Sequence, residues 1–368
     1  MNVLIGVCGI GNGHCTRQYE IARALVKKGH NIKILTFSNG LQFFKDKEFK
    51  FHKVWVPYVV FKGDKYDYKN IFLKNIKKIL FGIIRNIFIY IYIKINFEPD
   101  LCISDYEPNT ARIAYIFNVP FITIDQQSKF LYMDKDDLNG FSCKEERKRL
   151  DLFFPKFDLK IITSFYKLQN IKLPKNVFVC PPIIRNDITS SKRHNYKNKV
   201  VVYFSKYINT PIGQSMDDVF REVSFFEDYI FIFYLDKNEY IKINKMKHVP
   251  KNIIIKIVNR KSFVNDLLNS CAVLTTAGHT LISEAIFLKI PLYIIPLGTF
   301  DQHYCANFVS LNKIGYSSYK ITKYELSNFL KKLYFYENNI KNCDNILINN
   351  NVLDDIVLRI EQVYEFNN

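Results

Sequence analysis

The spacing of apolar residues switches repeatedly between short unbroken runs and the three-and-four spacing of a helix. Residues 3–7 read as a buried strand, and residues 18–28 have helical spacing through Ile21, Ala22, Leu25 and Val26. Gly29 stands where such a helix closes in a left-handed turn, and residues 31–37 read as a second strand. Strand, glycine loop, helix and strand in that order predict a βαβ unit and hence a parallel sheet. Further strands are predicted at 101–104, 121–124, 159–163 and 177–180, the last running into Pro181 and Pro182. Residues 183–198 are polar and turn-rich, as an interdomain linker would be. A second series of strands then follows at 199–204, 229–234, 253–258, 272–275 and 292–295. Thr322-x-x-Glu325 has the form of a capping box opening a helix, and 352–366 reads as a last amphipathic helix.

This pattern predicts an α/β protein of two Rossmann-like, parallel-sheet domains. The first is expected over 1–185, a linker over 186–198, the second over 199–345, and a C-terminal segment over 346–368 that is free to pack back on the first. A length of 368 residues with 48% apolar composition agrees, since it exceeds one hydrophobic core and suffices for two. The eight cysteines form no C-x-x-C pair, so neither a zinc knuckle nor a redox motif is expected. Their irregular spacing does not suggest a disulfide framework, and a reducing cytoplasm is the expected compartment. The N-terminus enters its strand with no basic region or cleavage site, so no secretory signal is expected. A net charge of +17 suits nucleic acid, an anionic membrane surface or a phosphorylated substrate. It is matched equally by the Lys-, Asn- and Ile-rich composition of AT-rich coding sequence.

Two segments carry candidate chemistry. Gly9-Ile-Gly11-Asn12-Gly13-His14 lies between the first strand and the first helix, where glycines admit a ligand to bare backbone N–H groups. A dinucleotide fingerprint would space its glycines as G-x-G-x-x-G, and no acidic residue ends the second strand at Phe37-Ser38-Asn39, so the dehydrogenase reading is weakened twice. A histidine on this loop, beside Thr16 and Arg17, suits proton removal from a hydroxyl near neutral pH; the alternative is a helix cap. Asp105 and Asp125, at the ends of middle strands, are the other candidates for the base or are themselves caps.

The second segment runs from Val273 to Gln302. A strand ends at Thr275, Thr276-Ala-Gly278-His279-Thr280 forms a small-residue turn, and a helix is expected from about Leu281. A diphosphate there would meet the positive end of that helix. Glu284, a turn further on, suits ribose hydroxyls, while Asp301 and Gln302 after the next strand suit a sugar. Ser205, after the strand at 199–204, is similarly placed for phosphate. The plainer alternative is an ordinary β-α-β unit with Glu284 on its surface.

Together these residues resemble the GT-B glycosyltransferases, in particular the MurG-like branch and related bacterial and archaeal glycosyltransferases. Gly9–Arg17 is similar to that family's G-x-G-x-G-H-x-x-R loop, and Gly278-His-Thr-x-x-Ser-Glu284 with Phe300-Asp-Gln302 to its donor signature. Pro99–Pro108 and Val119–Gln127 resemble its middle strands. The resemblance implies a UDP-sugar donor, a hydroxyl acceptor, inversion at the anomeric carbon and no metal or other cofactor. His14 would be the base; Gly278, His279 and Thr280 would hold diphosphate, Glu284 the ribose, Asp301 and Gln302 the sugar. Gly11, Asn12, Gly13 and Arg17 would wall the acceptor side of an interdomain cleft. Ala277 and Asp301 depart from the pattern, where glycine and Glu or Gln are common. No D-x-D motif ends a strand, and Asp134-Lys-Asp136-Asp137 reads as solvated surface.

Residues 62–95 carry eight Lys/Arg against two Asp, a net of +6. Arg85 and Lys94 interrupt the apolar run 79–95, so a spanning helix is not expected. Ile76, Leu80, Ile83, Ile87 and Ile91 share one helical face, with Lys74, Lys78 and Arg85 on another. That pattern fits an interfacial helix on anionic lipid or a core helix with basic residues in solvent. The first alternative implies a peripheral protein on the inner face of the plasma membrane, acting on lipid-linked or cell-surface polysaccharide precursors. A UDP-sugar epimerase of the same fold and a basic nucleic-acid-binding protein are the rival readings; no RNP, helix-turn-helix or zinc-finger pattern favours the latter.

Overall fold

The computed structural model describes residues 1–62, 65–133, 137–169, 171–194, 198–204, 214–243, 249–349 and 351–367. Two compact units result. The first comprises Met1–Asp136, Ser142–Arg185 and Leu347–Asn368, and the second Asp137–Phe141 with Asn186–Ile346.

The first unit begins with β1 (Asn2–Val7), α1 (Gly13–Lys27), β2 (Asn31–Thr36), α2 (Asn39–Lys45) and β3 (Lys50–Lys53). A small antiparallel ribbon, β4 (Phe61–Lys62) with β5 (Lys65–Tyr66), precedes the long helix α3 (Tyr68–Asn96). There follow β6 (Leu101–Asp105), α4 (Pro108–Phe117), β7 (Phe121–Asp125), a 3-10 turn at Gln127–Leu131, and then a second ribbon, β8 (Asp137–Leu138) with β9 (Phe141–Ser142), whose residues 137–141 belong to the second unit. Helix α5 (Lys144–Phe153), β10 (Leu159–Thr163) and β11 (Val177–Cys180) complete the series. Seven strands form one parallel sheet in the order β11-β10-β7-β6-β1-β2-β3.

Both faces of this sheet are covered, which is why its strands read as unbroken apolar runs. Ile5, Ile34, Ile103, Ile122 and Ile161 pack on one side with Ile21 and Leu25 of α1. Leu4, Leu35, Cys102 and Phe121 pack on the other with Ile113 of α4 and Ile93 of α3.

The second unit runs α6 (Asn186–Thr189), β12 (Lys199–Tyr203), α7 (Met216–Ser224), β13 (Ile230–Leu235), α8 (Lys237–Ile243), β14 (Ile253–Ile257) and α9 (Arg260–Leu268). It continues through β15 (Ala272–Thr276), α10 (His279–Phe287), β16 (Leu292–Ile295), α11 (Phe300–Leu311), β17 (Gly315–Ser317), α12 (Lys323–Leu330) and α13 (Leu333–Asn342). Its six strands form a parallel sheet in the order β14-β13-β12-β15-β16-β17. The expected α/β architecture with two parallel sheets is therefore present. Helix α14 (Val352–Asn367) belongs to the first unit, where Ile356 and Ile360 join the core beside α1.

Three local differences from the sequence reading have physical causes. The polar stretch after Arg185 is no free spacer: the Arg193 side chain donates to the carbonyls of Lys289 and Ser270, and the His194 N–H to that of Leu268. The ribbon residues 137–141 join the second unit because the Phe141 ring stacks on His303 at 4.0 Å. Helix α3 is 29 residues long, and its most apolar 18-residue stretch has mean hydropathy 1.5. By length and composition it is sufficient to cross a membrane, so the two cations interrupt the run less than the sequence reading supposed.

Candidate functional site

In the first unit the C-terminal ends of adjacent parallel strands bring distant residues together. Val7 of β1 stands in register with Asp105 of β6, and the Cys8 N–H donates to the Asp105 carbonyl at 2.9 Å. The chain leaving β1 then presses on the turn after β2. A Cβ at Gly9 would lie 1.6 Å from the carbonyl oxygen of Phe37, so only glycine fits there. Helix α1 starts at Gly13, several residues earlier than the apolar spacing implied; its first turn adds only Cys15 to the core, beside the polar His14 and Thr16. His14 consequently sits in the first helical turn, with Gly11 and Asn12 exposed before it.

Asp105 is completely buried and meets three side chains of α1. Nδ1 of His14 lies 2.7 Å from its Oδ1. Arg17, one turn along α1 and 6% exposed, donates Nε to Oδ2 at 2.8 Å and Nη2 to Oδ1 at 2.9 Å. Gln18 Nε2 adds a donor at 3.2 Å. Burial alone would raise the Asp105 pKa, but the charges of Arg17 and then His14, with their hydrogen bonds, hold it below its ordinary value. The carboxylate is thus an anion at neutral pH, and Nδ1–H of His14 is the donor that faces it. Arg17 Nη2 also stands 3.2 Å from Nδ1, but two donors do not bond, and Arg17 is satisfied by the carboxylate. This tautomer leaves Nε2 with the lone pair. Nε2 has no hydrogen-bond partner among the described residues, and the His14 side chain is 11% exposed.

Tyr106, which the sequence reading passed over, follows Asp105 in a left-handed conformation with φ 59°. Its ring stacks on His14 with centroids 6.1 Å apart, and its hydroxyl donates to Glu146. A bulky residue at positive φ is strained, and the contacts on both ends of Tyr106 hold it there. Glu107 is buried and caps α4, its carboxylate accepting from the Asn109 and Thr110 N–H groups at 2.8 Å each. The other carboxylate considered as a base, Asp125, is also buried and accepts from the N–H and hydroxyl of Ser128 at 2.6 and 2.8 Å. It is a turn-capping group whose pKa burial raises.

The second unit holds the other set. Gly278 is the exposed N-cap of α10, and no side chain caps that helix. First-turn N–H groups have no intrahelical acceptor, so this end of α10 offers donors and a positive dipole end. Helix α10 starts at His279, earlier than the expected Leu281. The His279 side chain is buried, with Nδ1 3.4 Å from the Ser283 hydroxyl, while Thr280 is half-buried. Glu284 is 4% exposed, so it is not a surface residue of an ordinary crossover helix. On α11, Gln302 Oε1 accepts the Leu297 N–H at 2.8 Å, which folds that side chain onto its own loop. Asp301 is half-buried in the first turn of the same helix. His303, not singled out in the sequence, is buried beside Phe141, and burial lowers its pKa. Ser205 lies outside the described residues, as do Asp134, Lys135 and Asp136 of the D-x-D segment. Among the described residues no group of three or more His, Cys, Asp or Glu could hold a metal ion.

One parallel α/β unit carries a histidine–aspartate pair at its strand ends, and the other starts a helix at its own strand ends with no side-chain cap among the described residues. Over residues 1–334 the chain belongs to glycosyl transferase family 1, and it is a glycosyltransferase of GT-B fold. Solved structures agree on the fold. The chain is similar to the glycosyltransferase VinC in complex with DTDP (TM-score 0.65, 13% identity, covering 99% of this chain and 100% of that one). It is similar also to the glycosyltransferase SnogD from Streptomyces nogalater (TM-score 0.63, 12% identity, 99% and 95% covered). A third is the spinosyn rhamnosyltransferase SpnG complexed with spinosyn aglycone (TM-score 0.62, 12% identity, 93% and 96% covered). No curated protein matches the sequence.

Proposed function

We propose that this enzyme transfers a sugar from a UDP-sugar to a hydroxyl acceptor with inversion at the anomeric carbon. The observation that carries the reading is the His14–Asp105 contact, with Nε2 of His14 unbonded among the described residues. In the transfer, Nε2 removes the acceptor hydroxyl proton as that oxygen attacks the anomeric carbon from the face opposite the diphosphate. The bond between the anomeric carbon and the diphosphate oxygen breaks, and UDP leaves with that electron pair. Asp105 holds the ring in the needed tautomer and stabilises the imidazolium that forms, so it is a positioning residue.

The negative charge on the leaving diphosphate calls for preorganised donors. The N-terminal end of α10 at Gly278, His279 and Thr280 supplies them, which supports a transfer without a metal or other cofactor. Glu284 takes the ribose, and Asp301 with the amide of Gln302 takes the sugar. Gly11, Asn12, Gly13 and Arg17 stand around His14, where the acceptor must arrive. The acceptor class we favour is a precursor of a cell-surface polysaccharide, used in the cytoplasm at the inner face of the plasma membrane. A lipid carrier on that acceptor is supported by the exposed apolar face of α3 in the unit that carries His14.

Thermal-shift measurements with UDP, dTDP and GDP test the donor, because ligand bound to the native state raises the midpoint by mass action. VinC was solved with DTDP, so a shift with dTDP and none with UDP would overturn the UDP assignment while leaving sugar transfer intact. Retention of the anomeric configuration in the glycoside product would overturn the mechanism.

A further inference from the structure

Helix α3 carries its polarity inside out. The stripe turned toward the first unit holds Asn75, Gly82, Asn86 and Ile93, all buried. Asn86 accepts the Trp55 N–H at 2.8 Å and donates to the Trp55 carbonyl at 2.9 Å and to Asn109 Oδ1 at 2.7 Å. Asn75 repeats the arrangement, accepting the Tyr58 N–H at 2.7 Å and donating to the Tyr58 carbonyl at 2.8 Å. Between them a Cβ at Gly82 would lie 2.2 Å from the Trp55 indole, so glycine is what lets the helix lie flat. The outer face holds Leu73, Leu80, Phe81, Ile84, Phe88 and Ile95, of which Phe81 is 76% and Phe88 68% exposed.

Soluble proteins rarely leave so large an apolar face uncovered, and charge identifies its cover. Residues 68–96 include six lysines and arginines and no acidic residue. Helical phase sets Lys74, Lys78 and Arg85 in a row along one edge of the apolar face. Between α3 and the edge strand β3 lies a groove of about 770 Å³. Its lining includes Phe81, Ile84, Phe88 and Ile95 together with Arg85 and Lys53, an apolar channel beside two cations. A second copy of this chain would set six cations against six, whereas an anionic lipid surface complements both the apolar face and its charge. The asparagine bonds keep α3 along the flank of its unit, which is the posture of a helix lying in the interface.

We propose that the outer face of α3 docks on an anionic lipid bilayer, with the groove taking a lipid chain whose phosphate meets Arg85 and Lys53. The docked helix is tied to the catalytic segment: Asn86 and the Tyr90 hydroxyl both donate to Asn109, just past Asp105, Tyr106 and Glu107. The lipid assignment stands apart from the sugar-transfer reading, because it is read by partition and not by turnover.

Sedimentation of the full chain with vesicles tests it, using phosphatidylcholine alone and phosphatidylcholine mixed with phosphatidylglycerol. Wild type is expected to sediment with the mixed vesicles and not the neutral ones. Each basic residue near an anionic surface contributes about fivefold in partition, so K74E/K78E/R85E should lower it by more than about tenfold. Phe81→Asp with Phe88→Asp should abolish it with no change in thermal midpoint, since both rings are exposed. The proposal is overturned if wild type ignores both vesicles, if it binds both equally, or if the Phe variants only dissolve a dimer.

Discussion

Nδ1 of His14 and Oδ1 of Asp105 are 2.7 Å apart although 91 positions separate them in the chain. Parallel pairing of β1 with β6 puts Asp105 at the strand end beside the β1–α1 turn, and the first turn of α1 then drops His14 and Arg17 onto it. The proposed mechanism uses this imidazole, held at one nitrogen by a buried carboxylate, as the base at the other. Replacing His14 with Ala is expected to lower kcat by about a hundredfold to ten-thousandfold, the usual worth of a positioned base. The UDP-induced thermal shift should persist, because the donor residues belong to the other unit. Wild-type turnover in this variant would remove His14 from the mechanism.

Asp105→Asn should reduce turnover and stability together. Its amide cannot neutralise Arg17, and removing one partner of a buried ion pair costs about 3–5 kcal/mol. The pair of measurements is chemical denaturation and kcat at constant donor saturation. A variant as stable as wild type would show that Arg17 finds another anion.

The pH dependence of stability follows from the same carboxylate. Its pKa in the folded chain lies below the ordinary 3.8, so its contribution is fully present above that value. It is lost as pH falls through the lower, folded pKa. Wild type should therefore lose stability steeply below about pH 4, and Asp105→Asn should flatten that part of the curve. Parallel acid limbs for the two proteins would contradict the assignment.

On the donor side, Glu284→Gln should leave the fold intact, since size and burial are conserved, while weakening nucleotide binding by about tenfold. That is the loss expected when charge-assisted hydrogen bonds become neutral ones. Titration calorimetry with UDP reads it directly; an unchanged Kd would return Glu284 to a structural role.

Gly82→Ala tests the seat of α3. The added methyl has to displace the Trp55 ring, and overpacking of this kind costs about 1–3 kcal/mol. In a unit of this size that corresponds to a midpoint lowered by about 2–4 °C for each kcal/mol. Trp55→Leu in the same chain should recover part of the loss by freeing the space.

Much of this enzyme is written in local pattern. The unbroken apolar runs at β1, β6, β7 and β15 announce strands buried on both faces, and the glycine turns after β1 and before α10 mark the strand ends to which the proposed site is assigned. Spacing along the chain puts Gly278 and Thr280 at the start of one helix and Glu284 one turn beyond Thr280 on the same side, so residue type and number alone implied their grouping. Spacing also marked α3 as amphipathic, because helical periodicity is a property of neighbouring residues.

What the sequence by itself could not determine are the relations that depend on which strands lie side by side. The sequence left Asp105 and Asp125 as alternatives ranked behind His14; strand register buries both aspartates, while Nε2 of His14 has no partner among the described residues. Tyr106 and His303 carried no signal at all, since stacking on a distant ring leaves no trace in local spacing. The direction of α3 was likewise a tertiary matter. Periodicity groups Ile76, Leu80, Ile83, Ile87 and Ile91, but the bonds of Asn75 and Asn86 to the backbone of residues 55–58 set the helix so that Phe81 and Phe88 are the more exposed. Local sequence dictates which elements form, because propensity and periodicity act over a few residues; their pairing, which sets the chemistry, is decided by contacts between residues far apart in the chain.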